Sequence, residues 1–230
     1  MRFNETLNMD TQQYDTILFD FDGTLTHSLP VWLKAYQLAL KSFGVDLSAD
    51  EVMRECFYRP WDDIIAQYGL PSREQFSDRV KQGVEESFCE AELFDGVRKV
   101  LDDCQSLNLK LGIVTSSNRN VVSDFLQAEG LADYFRSVVT ADDTTNFKPH
   151  PEPVFMALEE LGSTPQKSLF IGDSFVDMLA SESAGCDRAL FFPDEHHAFY
   201  CLEELRAYNP SFVFHNYCEL WTNLPGFRFV

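Results

Sequence analysis

The sequence predicts an α/β fold, in which a doubly wound, mostly parallel sheet carries helices on both faces and a helical insert interrupts the alternation. Short apolar segments alternate with helical patterns along most of the chain, and this alternation is typical of parallel sheets covered by helices. Between residues 26 and 93 only helical patterns occur. With 230 residues, the chain is long enough for a core and a small inserted domain. The predicted strands are at about residues 16–21, 109–114, 137–140, 168–172 and 187–191.

The composition narrows the classes of partner and location. The chain is 45% hydrophobic and contains 21 phenylalanines, so a substantial core is available. The formal net charge of −19 argues against binding to nucleic acid or to an anionic membrane surface. No apolar stretch reaches the length of a membrane span, and the six cysteines form no C-x-x-C pair. We therefore expect a cytoplasmic protein with reduced thiols and a disordered polar tail at residues 1–13.

The helical insert carries two helix-start signals of its own. Residues 48–51 and 72–75 both fit a capping box, which satisfies free backbone N–H groups at a helix start. The second box is predicted to open a helix that extends to about residue 92. We expect the insert to comprise residues 27–93, with hinges near residues 26–29 and 94–96. The remaining segments, residues 14–26 and 94–230, would form the core.

The region after residue 193 has weaker signals. A helix is predicted at residues 198–207 and a short strand at residues 211–214. His196 and His197 lie in a polar stretch, so we interpret them as residues of a solvated loop rather than of a metal site.

Two carboxylates stand at the end of the first predicted strand, in the sequence DFDGTL. Asp20 and Asp22 are two residues apart, and residues at this spacing in a strand share one face. Gly23 follows and permits a backbone turn that a side chain would resist. A pair of aspartates can also cap a helix or start a turn. Two like charges on one face nevertheless favour a bound cation, so the pair is a candidate site.

Further polar motifs follow the later strands, in a fixed order along the chain. Thr115 follows the strand near residues 109–114, and Lys148 lies in the sequence KPHPEP. Asp173 and Asp177 follow the strand at residues 168–172, in the sequence GDSFVD. Ligands of open α/β sheets bind outside the carboxyl ends of the strands, so we expect these motifs to converge on one crevice.

With these four motifs in order, the chain resembles the haloacid dehalogenase superfamily, in its phosphatase branch with a helical cap inserted after the first strand. The resemblance extends from about residue 14 to about residue 224. It implies a Rossmann-like core and identifies the insert at residues 27–93 as a cap domain. It also implies a Mg²⁺-dependent phosphatase that hydrolyses a small phosphorylated metabolite through an aspartyl phosphate.

The resemblance assigns a role to each motif residue. Asp20 would be the nucleophile, and Asp22 would be the general acid and base for the leaving alcohol and the attacking water. Thr115 and Ser116 would bind the phosphoryl group through hydroxyl and backbone N–H groups at a helix start. Lys148 would bind the same group through its ammonium.

The same resemblance implies a magnesium site. Asp20 and Asp173 would bind the ion through their carboxylates, and Asp22 would contribute its backbone carbonyl. Asp177 would orient a water molecule on the metal, or Lys148.

Departures from the family pattern leave alternatives open. Hexose phosphomutases of the family place a histidine where Trp32 stands, so the resemblance favours a phosphatase over a phosphomutase. His27 replaces a frequent aspartate, and its role is not assigned. Lys34 and Lys41 are interpreted as solvated helix charges. A catalytically silent phosphate-binding regulatory protein is a third alternative, which the retained motif residues disfavour.

The cap is expected to set substrate choice. Arg59 could bind a second anionic group, and Trp61 could either cover the substrate or pack inside the cap.

Overall fold

A computed structural model of the chain describes residues 14–57 and 59–224. The predicted tail at residues 1–13 lies outside the described residues. The sheet consists of the strands β1 (Thr16–Phe19), β2 (Lys110–Val114), β3 (Ser137–Val139), β4 (Ser168–Gly172), β5 (Asp187–Phe191) and β6 (Phe212–Phe214). The helices are α1 (Leu29–Ser42), α2 (Ala49–Cys56), α3 (Trp61–Tyr68), α4 (Arg73–Ser87), α5 (Val97–Ser106), α6 (Arg119–Ala128), α7 (Glu152–Leu161), α8 (Phe175–Ala184), α9 (Leu202–Arg206) and α10 (Leu220–Asn223).

All neighbouring strands of the described sheet are parallel, in the order β3-β2-β1-β4-β5-β6. The chain fills one side of β1 with β2 and β3, and then the other side with β4, β5 and β6. The order therefore reverses at β1, and the carboxyl end of β1 is the switch point where ligands bind in such sheets. The predicted α/β fold and its parallel sheet are confirmed.

Strand β1 is buried on both faces, as its uninterrupted apolar sequence predicts. Ile17 and Phe19 belong to one hydrophobic cluster, and Leu18 belongs to another. Successive strand residues point to opposite faces, so these two clusters form the cores on the two sides of the sheet. A strand that is held from both sides gives Asp20, the next residue, a fixed position.

Helices α1 to α4 form the predicted insert, and α1 packs along α4. Ser48 and Glu51 form the predicted capping box of α2, with Ser48 N–H 2.8 Å from the Glu51 carboxylate. At α4, Ser72 accepts a hydrogen bond from the Gln75 N–H at 3.2 Å. Helix α4 ends at Ser87, earlier than predicted, and a 3₁₀ turn (Phe88–Glu90) follows.

The two chain segments that join the insert to the sheet are hydrogen bonded to each other. Thr26 and Leu93 form an antiparallel bridge. The N–H of His27 donates to the carbonyl of Glu92 at 2.8 Å, and the N–H of Phe94 donates to the carbonyl of Leu25 at 3.1 Å. These crossings coincide with the expected hinges. The division into a core and a cap domain stays a prediction.

The region after β5 differs from the expectation. A 3₁₀ turn (Asp194–Ala198) and α9 replace the single helix predicted at residues 198–207. Strand β6 lies within the predicted residues 211–214. In the part of the chain that the structure describes, no helix combines the length and apolarity needed to cross a membrane.

Candidate active site

The candidate site lies where β1, β2 and β4 end. Asp20, Thr115 and Asp173 are the residues that directly follow these strands. Hydrogen bonds continue one step beyond the strands, because the N–H of Asp20 donates to the carbonyl of Ile171 at 2.8 Å. In the same way, the N–H of Thr115 donates to the carbonyl of Val139 at 2.9 Å. The sheet register therefore brings three distant sequence motifs to one edge.

Lys148 lies at the centre of the site. Its Nζ donates to Asp20 Oδ1 at 2.5 Å, to Asp177 Oδ1 at 2.6 Å and to the carbonyl oxygen of Val114 at 3.0 Å. These contacts use all three ammonium protons. Burial disfavours the charged form, but the Asp177 and Asp20 carboxylates outweigh it and raise the pKa of Lys148. The lysine therefore stays protonated, with only 3% of its side chain exposed.

Asp20, Asp173 and Asp177 form a buried acidic cluster. Each offers a carboxylate oxygen, and these oxygens lie within 4.8 Å of one another. Burial, with the Asp177 charge, raises the pKa of Asp20 to about 8, although Lys148 acts in the opposite direction. Burial and the same neighbouring carboxylates raise the pKa of Asp173 well above its ordinary value. One ammonium does not balance three buried carboxylates when all of them are ionised, so ionisation of the whole cluster favours a second cation.

The residues fit a hard divalent cation. Asp173 Oδ2 is buried and has no hydrogen-bond partner among the described residues. Carboxylate oxygens are the donors that Mg²⁺ prefers. The backbone also approaches closely, since a Cβ on Gly23 would stand 2.5 Å from Asp173 Oδ2. Gly23 has a φ of +74°, so glycine is required there for both reasons.

Asp177 is held from two sides. Its Oδ2 accepts hydrogen bonds from the N–H of Ser174 at 3.1 Å and from the Ser174 hydroxyl at 2.5 Å, which caps α8. Its Oδ1 accepts from Lys148. Asp177 thus contacts Lys148 directly, and its role in orienting Lys148 or a water molecule on the metal stays a prediction.

Asp22 lies beside the cluster, and its carboxylate accepts hydrogen bonds from both the core and the insert. Ser28 Oγ and Trp32 Nε1, at the start of α1, each donate to Oδ1 at 2.7 Å. Ser117 Oγ donates to Oδ2 at 2.6 Å, and Thr115 Oγ1 lies 3.4 Å from the same atom. The carboxylate has a single supported orientation, and two of its donors belong to the insert.

The other sequence-predicted residues lie apart from these contacts. Ser116 is exposed, in the loop between β2 and α6. Arg59 donates to the Glu55 carbonyl at 3.0 Å and to Gln67 Oε1 at 2.7 Å. Trp61 Nε1 donates to the Tyr36 hydroxyl at 2.9 Å. The described contacts of Arg59 and Trp61 are thus within the insert, and their role in specificity stays a prediction.

The interpretation of His196 as a solvated loop residue is wrong. The side chain is buried and lies edge-on to the rings of Phe94 and Phe191. Its Nδ1 stands 3.9 Å from Asp173 Oδ2. Burial, with a smaller contribution from His27, lowers the pKa of His196 to about 3, so the ring is neutral. His197, the next residue, is exposed as expected.

Sequence reasoning also did not predict the contacts of Ser28 and Ser117 with Asp22, or that of Tyr200 with Asp173. Ser117 is two residues after Thr115, so the spacing that paired Asp20 with Asp22 could have indicated it. Tyr200 hydrogen bonds to Asp173 from the region after β5, where the sequence predicts a helix but the structure places Tyr200 between the 3₁₀ turn and α9.

Comparison with known proteins identifies the family of the chain. The sequence profile of the haloacid dehalogenase-like hydrolases matches residues 17–191. This chain belongs to that family. The matched residues contain every motif of the site, from Asp20 to Asp177, and end at the last residue of β5.

Named relatives of this haloacid dehalogenase-like hydrolase are phosphatases. It is 32% identical over 195 residues to the pyrophosphatase PpaX of Bacillus pumilus, covering 79% of this chain and 84% of the relative. It is 31% identical over 198 residues to the phosphoglycolate phosphatase of Escherichia coli O157:H7, covering 74% and 78%. A hydrolase from Pseudomonas syringae has the same fold, with a TM-score of 0.77, 24% identity and coverage of 90% and 96%. The chain is therefore an enzyme, a phosphatase of the haloacid dehalogenase-like group.

Proposed function

We propose that this phosphatase hydrolyses a small phosphate monoester through an aspartyl phosphate on Asp20, with Mg²⁺ as its cofactor. The observation that carries the proposal is the pair of buried hydrogen bonds from Lys148 to Asp20 and Asp177, beside Asp173. A lysine that is paired with a carboxylate at the end of the central strand places a full positive charge beside the nucleophile, where it stabilises the charge of an incoming phosphoryl group.

Asp20 and Asp22 divide the chemistry. An Asp20 carboxylate oxygen attacks phosphorus and the bond to the leaving oxygen breaks, while Asp22 gives a proton to that oxygen. Asp22 then takes a proton from water as the water oxygen attacks phosphorus, and Asp20 leaves as a carboxylate with release of phosphate. Splitting the displacement into two steps makes each of them easier. The donors on the Asp22 carboxylate support a role that requires a fixed orientation.

Phosphate binding needs local positive character, because the chain has a net charge of −19. Lys148 supplies one full charge inside the site. Thr115, Ser116 and the N–H groups that lead into α6 supply hydrogen-bond donors at a helix start. These residues are the proposed phosphate-binding set.

Asp20 and Asp173, with the backbone carbonyl of Asp22, are the proposed ligands of the ion. When bound, Mg²⁺ would neutralise charge between the nucleophile and the anionic substrate. Asp177 keeps Lys148 beside Asp20 and leaves the other carboxylates available to the ion.

The relatives support a substrate of small size. The names of these two relatives refer to pyrophosphate and phosphoglycolate, each of which has a second anionic group beside the phosphoryl group.

All six cysteines are free thiols, which supports the expected cytoplasmic location. Trp32 stands where hexose phosphomutases of the family place a histidine, and its indole N–H donates to Asp22. We therefore favour hydrolysis over phosphomutase activity.

The decisive experiment is hydrolysis of p-nitrophenyl phosphate with and without metal. We expect turnover with Mg²⁺, loss of turnover after EDTA treatment and recovery when Mg²⁺ is added back. Full activity in metal-free buffer would contradict the cofactor proposal. Absence of turnover with any divalent ion would favour the catalytically silent phosphate binder. A panel of pyrophosphate, phosphoglycolate and sugar phosphates would then identify the substrate class.

A further inference from the structure

The segment at residues 194–200, which we call the 194–200 segment, closes one side of the acidic cluster. It leaves the sheet after β5 and begins as a 3₁₀ turn. Two of its side chains, His196 and Tyr200, lie against Asp173. The motif residues of the site all precede this segment, so it is a separate contribution to the same crevice.

His196 is a buried polar side chain with unused hydrogen-bonding capacity. Its residue exposure is 1%, and neither ring nitrogen has a hydrogen-bond partner among the described residues. A neutral imidazole has one N–H donor and one acceptor nitrogen, and buried groups of this kind are nearly always paired. The two buried ring nitrogens of His196 therefore need a hydrogen-bond partner, which a small rearrangement can supply.

Asp173 Oδ2 is the matching acceptor. It is buried without a partner, and it stands 3.9 Å from His196 Nδ1. This distance is too long for a direct hydrogen bond, but a small closure would bring the two atoms within hydrogen-bond range. The two unpaired atoms thus face each other.

Two hydroxyl groups hold the same carboxylate. Thr24 Oγ1 donates to Asp173 Oδ1 at 3.2 Å. A hydrogen bond from the Tyr200 side chain also acts on Asp173, where it lowers the pKa of the carboxyl group against the larger effect of burial. Thr24 follows β1, whereas Tyr200 belongs to the 194–200 segment. Asp173 therefore has hydrogen-bond partners both at the switch point of the sheet and in this segment.

The segment is anchored on its far side. Glu195 lies 3.1 Å from His27 Nδ1 at the hinge, and the Phe199 ring packs on Phe57 of the insert at 5.7 Å between ring centres. These contacts fix the position of the backbone that carries His196 and Tyr200.

We propose that His196 and Tyr200 are positioning residues that hold the Asp173 carboxylate in the orientation in which it binds the divalent cation. This inference rests on the proposed function, because it takes Asp173 as a ligand of the ion. Groups that hydrogen bond to a metal ligand set its orientation, and their loss typically weakens metal binding by about tenfold or more.

The test measures Mg²⁺ and Mn²⁺ binding to the metal-free protein by calorimetry, without turnover. We expect His196→Phe, which keeps a ring but no N–H, and Tyr200→Phe, which loses only the hydroxyl, each to weaken binding by about tenfold. His196→Asn keeps an amide N–H near the position of Nδ1 and should recover most of the affinity. His197→Asn changes the exposed neighbour and should bind like the wild type.

Circular dichroism and thermal melting of the metal-free variants establish that each is folded. Wild-type affinity in both His196→Phe and Tyr200→Phe would overturn the inference, as would equal losses in His196→Phe and His196→Asn. A wild-type protein that binds neither ion would overturn it as well. Hydrolysis of p-nitrophenyl phosphate is followed in parallel, so that a protein that binds metal without turnover contradicts the proposed function and not the positioning role.

Discussion

The crevice at the ends of the strands and the loop around Arg59 in the insert differ in the burial and the partners of their cationic side chains. In the crevice, Lys148 is buried and its ammonium contacts two carboxylates from different motifs. In the insert, Arg59 is about one-third exposed and contacts Glu55 and Gln67, close neighbours along the chain. Both cations are paired, but only the first is paired over more than a hundred residues of sequence.

This difference in burial distinguishes the candidate active site from an ordinary surface ion pair. Burying a charge costs far more than placing it at the surface, so a buried cluster persists only when the surrounding structure over-determines it. An exposed pair costs little and contributes little. The crevice therefore constrains its residues to one arrangement, whereas the partly exposed Arg59 is less constrained.

Asp20→Asn is expected to have the largest effect on activity. An amide has nearly the shape of a carboxylate but is a poor nucleophile, so turnover of p-nitrophenyl phosphate should fall by about a thousandfold or more. Asp62→Asn is the control from the insert, because Asp62 is exposed and pairs with Arg73. Steady-state kinetics with Mg²⁺ measures both, and a variant of Asp20 with a few per cent of wild-type activity would remove it from the nucleophile role.

Lys148→Met is expected to have the largest effect on stability. Removing the ammonium leaves Asp20 and Asp177 without their buried partner, which should lower the free energy of unfolding by about 3–5 kcal/mol. Lys34→Met is the matched control, since Lys34 pairs with Glu90 at the surface and should change stability by less than about 1 kcal/mol. Urea denaturation of the metal-free proteins measures the two. If the loss comes from charge, Asp177→Asn should restore part of it in the Lys148→Met background; no restoration would point to packing.

The sequence predicts the crevice well because strand periodicity determines it. The apolar runs of β1, β2 and β4 mark the strands, and a parallel sheet places their carboxyl ends at one edge. The positions of Asp20, Thr115 and Asp173 follow from this argument, without knowledge of any side-chain contact. The structure brings them together as the pattern predicts.

The contacts around Asp173 could not be predicted in this way. His196 is adjacent to His197 in a polar stretch, yet one ring is buried and the other is exposed. The difference arises from the 3₁₀ turn after β5, where side-chain direction follows neither strand nor helix spacing. Trp32 is similar, because its contact with Asp22 depends on how α1 meets the crevice and not on its own position along the helix.

Trp32 connects the two regions, so Trp32→Phe tests whether the insert influences the chemistry. The change removes the indole N–H that donates to Asp22 Oδ1 at 2.7 Å and keeps an aromatic ring. Loss of one of the donors that hold this carboxyl group should misorient it and lower kcat for p-nitrophenyl phosphate by about tenfold. Trp61→Phe is the same substitution within the insert, where the N–H donates to the Tyr36 hydroxyl, and it should leave kcat unchanged. Equal effects of the two substitutions would mean that both tryptophans act only through the packing of the insert.

Arg59→Ala is expected to have the smallest effect, and one that depends on the substrate. A guanidinium released from Glu55 and Gln67 could bind a second anionic group, but breaking those contacts offsets part of the gain. We therefore expect kcat/KM for pyrophosphate or phosphoglycolate, whichever the enzyme prefers, to fall by about fivefold, or about 1 kcal/mol. p-Nitrophenyl phosphate has no second anionic group, so its kcat/KM should stay at the wild-type value. Arg54→Ala is the matched control, because Arg54 also pairs with Glu55 but is two-thirds exposed, and neither substrate should respond to it. If Arg59→Ala lowers kcat/KM equally for both substrates, the guanidinium only supports the fold of the insert, and substrate choice must come from other residues above the crevice.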